Sequence, residues 1–103
     1  MRAYRFAGWE LNVRLRRLTS IDGSRVPLTN TEFSLLAAFL AAPQRGLSRD
    51  QLLGMSRLHN DEVYDRSIDT QVGRLRKKFE ARGTGSEIIR TERGAGYVFC
   101  ADV

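Results

Sequence analysis

A single cysteine, Cys100, in 103 residues leaves no partner for an internal disulfide. The one histidine, His59, lies far from it, so no Cys/His cluster with zinc-finger spacing exists. His59 is assigned neither metal binding nor catalysis. No Ser/His/Asp set and no Gly-rich phosphate loop of the Walker type is present, so nothing supports an enzyme and no cofactor is expected. No apolar stretch is long enough to span a membrane, and no signal-peptide pattern opens the chain. A cytoplasmic location is the expectation. Lysine is nearly missing: only Lys77 and Lys78 stand beside fifteen arginines.

What is present fits one domain over residues 1–103. Hydrophobic residues make up 42%, enough to bury a core without staples. Seventeen basic against twelve acidic residues give a net charge of +5. Arginine's planar fork matches phosphate oxygens and guanine edges. A basic excess also serves plain solubility, so its distribution has to decide. Cys100 follows Tyr97-Val98-Phe99 and reads as a small core or edge residue.

The first 28 residues read as four short antiparallel strands, at Tyr4–Phe6, Trp9–Leu11, Leu15–Thr19 and Arg25–Leu28. Gly8 breaks the first pair, and Asp22-Gly23 is a hairpin turn signal between the last two. Trp9 belongs to the core of this sheet. Thr29-x-x-Glu32 is a capping box, and Phe33, Leu36, Ala37 and Leu40 follow at helical spacing until Pro43 and Gly46. A second box, Ser48-x-x-Gln51, starts another helix directly, so two helices joined by a short turn are expected. Residues 54–65 read as a loop, with Asp61, Glu62 and Asp65 making it acidic and Val63 or Tyr64 tucked inward.

From about Arg66 to Arg82, Ile68, Val72, Leu75 and Phe79 form one apolar helical stripe. Arg66, Ser67, Thr70, Gln71, Arg74, Lys77 and Lys78 are expected away from that stripe, with Asp69 on its flank. Gly83-Thr84-Gly85 ends the helix. Ile88–Thr91 and Tyr97–Phe99 then form a hairpin around Glu92-Arg93-Gly94-Ala95-Gly96.

A major groove admits one helix, which needs an apolar face for its scaffold and a donor face for bases. Arg74 can fork onto guanine, Gln71 can pair with adenine, and the Thr70 methyl can touch thymine. Lys77, Lys78 and Arg66 fit phosphates, which set register without reading sequence. The capped helix N-termini at Thr29 and Ser48, with Thr31 and Arg49 beside them, offer further phosphate sites. Arg93, at the hairpin tip, suits a narrow minor groove. Asp69 would repel phosphate, so a structural ion pair with Arg76 or Arg93 is the preferred reading.

These residues, in this order, resemble the OmpR/PhoB family: Leu28-Thr29-x-x-Glu32-Phe33-x-Leu35-Leu36, Leu47-Ser48-Arg49-x-x-Leu52-Leu53, Asp65-Arg66-Ser67-Ile68-Asp69, Arg74-Leu75-Arg76-Lys77-Lys78 and Ile89-Arg90-Thr91-x-Arg93-Gly94-x-Gly96-Tyr97. The run Asp61 to Ser67 is similar to a VirG-like branch. The resemblance implies an α+β winged helix-turn-helix, with an N-terminal four-stranded sheet, three helices and a C-terminal β-hairpin wing. It implies the effector domain of a two-component response regulator that binds double-stranded DNA, as tandem copies on direct repeats and as a monomer when isolated.

By the same resemblance Arg66, Ser67, Thr70, Gln71, Arg74 and Arg76 fall on recognition-helix positions that touch bases or phosphates, and Thr91, Arg93 and Tyr97 on wing positions that bind DNA near the minor groove and backbone. Arg49 matches a phosphate contact. Arg57 stands where some relatives have Trp, which replaces an apolar backbone contact with an ionic one. Gly73 stands for a side chain that is often basic and costs about 1 kcal/mol of helix propensity. The loop around Leu58, His59, Asn60, Asp61 and Glu62 corresponds to one that contacts RNA polymerase. No receiver domain is legible in these residues, so the chain reads as an excised effector domain or as a protein that works without one. The competing reading is a winged-helix protein-interaction module without DNA binding. The basic helix face and Arg93 argue against it.

Overall fold

The computed structural model describes residues 3–57, 68–82, 88–94 and 96–103. Four strands open it: β1 (Ala3–Phe6), β2 (Trp9–Asn12), β3 (Arg17–Thr19) and β4 (Arg25–Val26). They pair antiparallel in sequence order. The register sets Phe6 against Trp9, Leu11 against Leu18 and Leu18 against Val26. Period-2 alternation therefore sends all five inward, and all are buried. Arg5, Glu10, Arg17 and Arg25 alternate with them, and Arg5 donates to Glu10 across the strands at 3.0 Å.

Two strands are shorter than their sequence suggests. The Asn12 side chain accepts the Leu15 amide at 2.9 Å, and Arg16 turns to a φ of 53°. That turn leaves Leu15 56% exposed and delays β3 to Arg17. β4 ends at Val26, because Pro27 has no amide to continue a ladder. At the next turn the Asp22 carboxylate accepts the Ser20 hydroxyl and, at 2.9 Å, the Ser24 amide. These bonds hold its pKa down at about 2.

α1 (Asn30–Ala41) starts on the expected box: Thr29 Oγ1 accepts the Glu32 amide at 3.1 Å, and Glu32 Oε1 accepts the Thr29 amide at 2.8 Å. Every residue from Glu32 to Leu40 is buried, so this is the central helix and not a one-sided one. α2 (Arg49–Ser56) begins on the second box, formed by Ser48 and Gln51. It runs through Gly54, Met55 and Ser56, which read as loop in the sequence. α3 (Ile68–Ala81) buries Ile68, Val72, Leu75 and Phe79. The acidic segment, including Val63 and Tyr64, and the glycines at 83 and 85 lie outside the described residues.

The connection between the first two helices is more than a turn. It contains β5 (Gly46–Leu47), which pairs with the C-terminal hairpin of β6 (Ile89–Glu92) and β7 (Gly96–Phe99) in the order β5-β7-β6. Two residues carry no readable period, so this strand is invisible in the sequence. Gly96 sits at φ 110°, and a Cβ there would lie 2.1 Å from the Leu47 carbonyl oxygen. Only glycine lets the wing approach β5 this closely. Gln44 locks the same corner: its amide donates to Phe99 O at 2.8 Å and its side chain to Cys100 O at 2.9 Å.

The two sheets and α3 meet in an aromatic cluster. Phe79 packs edge-on against Trp9 at 4.9 Å and Phe6 at 5.8 Å, and Phe6 meets Phe99 at 5.3 Å. Such pairs add to the area that they bury. The cluster fixes α3 to the N-terminal sheet by its C-terminal half. No helix among the described residues is long and apolar enough to cross a membrane.

Candidate nucleic-acid interface

The expected reading face of α3 is present but narrower. Thr70, Arg74 and Lys77 are exposed along one line. A Cβ at Gly73 would meet nothing within 4 Å, so the helix has open space there. Gln71, expected on the same face, is only 9% exposed. At about 100° per residue it lies roughly 60° from the axis of the apolar stripe, close enough to be covered by its neighbours. Its Oε1 is buried and has no hydrogen-bond partner among the described residues.

Lys78 is the second departure. Its ammonium donates to Glu32 Oε1 at 2.5 Å and to Pro27 O at 2.8 Å. It is turned toward the start of α1 and away from the line of Thr70, Arg74 and Lys77. Burial alone pushes the Glu32 carboxyl up, but hydrogen bonds from Lys78 and the Thr29 amide outweigh it. The net position is below the usual carboxylate range.

Arg76 also turns inward, on the other flank of the stripe. Its Nε donates to Ile89 O at 3.0 Å and its NH2 to Thr91 Oγ1 at 2.8 Å, and its guanidinium lies 5.6 Å from the Tyr97 ring centre. It therefore fastens α3 to the wing. Asp69 is structural, as expected, but with different partners. Arg49 Nε donates to both its carboxylate oxygens, at 3.0 and 3.1 Å, and the Tyr97 hydroxyl donates to the same group. Arg76 was already engaged by the wing strand, and Arg49 reaches Asp69 from the start of α2. The bonds from Arg49 and then Tyr97 hold the Asp69 carboxyl below its ordinary value. Burial, and then the carboxylate at its hydroxyl, push Tyr97 up.

The result is a polar ring joining four elements. Asp69 from α3 meets Arg49 from α2 and Tyr97 from β7, and Arg76 and Thr91 complete it through β6. Beside the ring, a cleft of about 450 Å³ opens between the capped start of α2 and the wing, lined by Ser48, Arg49, Asp50, Thr91, Arg93 and Tyr97. Arg93 is exposed at the wing tip. Arg49 remains half exposed while it holds Asp69. Arg57 follows the last turn of α2 and is exposed. Arg66, Ser67 and the segment Leu58, His59, Asn60, Asp61 and Glu62 lie outside the described residues. Sequence reasoning placed the helix and the wing and named the helix start at Ser48, but missed Asp50 as lining of the cleft. The capping box at Ser48 was the available signal. Among the described residues no group of His, Cys, Asp and Glu is placed to hold a metal ion.

A three-helix core with a donor-bearing helix tied to an Arg-tipped hairpin defines a winged-helix DNA-binding domain. The chain belongs to the family described as "Transcriptional regulatory protein, C terminal", which matches residues 23–99. It is an output domain of the OmpR/PhoB response-regulator type, whose work is binding and not catalysis. Regulatory protein VirG of Agrobacterium fabrum is 56% identical over 102 residues, covering 99% of this chain and 40% of the relative. The aerobic respiration control protein ArcA of Escherichia coli is 37% identical, covering 98% of this chain and 42% of the relative. The chain thus spans about two fifths of the length of these relatives. The DNA-binding domain of Klebsiella pneumoniae RstA, solved in complex with the RstA box, has a TM-score of 0.78 at 28% identity, covering 97% and 98% of the two chains.

Proposed function

We propose that α3 lies in the major groove of duplex DNA, with Arg74 and Thr70 at base edges and Lys77 at a phosphate. Arg49 and the amides at the start of α2 meet the backbone through the cleft, and Arg93 reaches the adjacent minor groove. The observation that supports this most is the exposed line of Thr70, Arg74 and Lys77 on α3, a helix that Arg76 ties to the wing strand, with the cleft between the start of α2 and the wing. Gln71, being buried, acts in this reading as a packing residue. Arg76, Thr91 and Tyr97 hold the wing at a fixed angle to the helix.

Selection of bound sites from a random DNA pool tests the reading and gives the half-site and its spacing. Tandem binding on direct repeats predicts two equal half-sites in the same orientation. On the selected site, Arg74→Ala is expected to cost about 1–3 kcal/mol and to relax one base position. Lys77→Ala is expected to weaken all sequences alike and to lower the salt slope by about 0.9. Equal loss of discrimination in both variants would remove Arg74 from base reading.

The remaining partners are proposed by analogy with relatives of which this chain spans about two fifths. A receiver domain joined to this chain would control the pairing of copies on DNA. The segment Leu58 to Glu62 is proposed to touch RNA polymerase. Replacing Asp61 and Glu62 by their amides should leave DNA affinity intact and reduce transcription, and a large loss of DNA affinity would defeat that assignment.

A further inference from the structure

We propose that Lys78 is a positioning residue that sets the rotation of α3 in the groove and is not a phosphate contact. The inference rests on the DNA-binding reading above and deepens it. Its basis is the geometry at the start of α1. The Glu32 side chain is 2% exposed, and its Oε1 already accepts the Thr29 amide at 2.8 Å. The Lys78 ammonium donates to that same oxygen at 2.5 Å and also to Pro27 O at 2.8 Å. Moving Lys78 to a phosphate would strand a buried carboxylate without its counter-charge, which is strongly unfavourable. The ammonium therefore stays where it is when DNA arrives.

The clamp has a mirror on the other flank. Measured around the helix at about 100° per residue, Arg76 and Lys78 stand roughly 80° to either side of the buried stripe. Arg76 is bonded to the wing strand, and Lys78 to the cap of α1. Opposed tethers fix rotation about the helix axis, which the apolar stripe alone controls loosely. A turn of about 10° moves a group about 6 Å from the axis by about 1 Å. That exceeds the tolerance of about 0.5 Å within which a recognition constellation works. Loss of the Lys78 tether should thus spoil base reading at Arg74 and Thr70 more than it spoils attraction to the duplex.

The test compares the affinity of wild type, Lys78→Met, Lys78→Arg and Lys77→Met for the selected site and for mixed-sequence DNA. Each is measured over a range of salt, well below every variant's melting temperature. Lys78→Met should lose about tenfold in the ratio of specific to non-specific affinity, at an unchanged salt slope, and Lys78→Arg should recover most of the ratio. Lys77→Met should lower both affinities together and reduce the slope by about 0.9. If Lys78→Met does not fold, the double variant Glu32→Gln with Lys78→Met removes both charges and serves in its place. A drop of about 0.9 in the slope for Lys78→Met means a phosphate contact and overturns the proposal. So does an unchanged ratio with only a lower melting temperature, which means a brace for the fold alone. Wild-type protein that cannot distinguish its selected site from mixed DNA overturns the groove reading itself, and the clamp falls with it.

Discussion

The N-terminal sheet and the helix-and-wing half of this domain divide the charge in an unexpected way. Residues 1–28 hold Arg2, Arg5, Arg14, Arg16, Arg17 and Arg25 against only Glu10 and Asp22. The rest of the chain holds eleven basic and ten acidic residues and is nearly neutral. The half proposed to face DNA is the half without the basic excess. Two of its ten acids are engaged by its own cations: Glu32 by Lys78, and Asp69 by Arg49. Recognition here comes from where a few donors are held. The net charge, which drew attention to nucleic acid in the first place, sits mostly elsewhere.

The largest expected effect breaks the second half and tests whether the first survives. Gly96→Ala places a methyl against the Leu47 carbonyl at a positive φ, so β5 and β7 must part. A loss of about 3 kcal/mol is expected in urea unfolding, together with DNA binding. An unchanged midpoint would show that the wing does not need its contact with β5.

Acid sharpens the comparison next. Glu32 and Asp69 both have folded pKa values below their unfolded ones. Each stabilises the fold above its unfolded pKa, near pH 4, and that contribution is lost as pH falls through the folded value. Asp22 on the sheet side, held at about 2, surrenders its contribution last. Urea midpoints should therefore fall as pH drops below about 4, and Glu32→Gln should flatten the upper part of that fall. A variant with the wild-type pH profile would mean that Glu32 plays no part in it.

The smallest effect concerns the sheet's arginines. Arg14 and Arg17 are exposed, and α3 extends about 20 Å from its packed end to the polar ring. At physiological salt the screening length is about 8 Å. Replacing Arg14 and Arg17 by Ser should change DNA affinity by less than about 0.5 kcal/mol, measured beside Arg74→Ala. A loss as large as that of Arg74→Ala would place the sheet on the DNA.

Legibility in the sequence followed the range of the forces. Both capping boxes were readable because Thr29 to Glu32 and Ser48 to Gln51 are contacts over three residues. The stripe of Ile68, Val72, Leu75 and Phe79 was readable because periodicity repeats. β5 was not, because its two residues become a strand only by meeting β7 from fifty positions away. Lys78 and Gln71 were misplaced for a related reason. Helical angle separates the two faces of α3 well but leaves the flanks undecided, and partners from α1 and its neighbours decide them. The true partners of Asp69 depended on where α2 starts in space, which no local pattern records.

One consequence follows from the close approach of Gly96 to Leu47. The foot of the wing is welded to the turn between the first helices, while its tip at Arg93 is exposed beside the cleft. Residues at the tip are free to lengthen, shorten or change identity over generations, and the scaffold beneath would not register the change. If the tip reads DNA as proposed, new operators can be acquired from the outermost side chains of a hairpin whose base stays fixed.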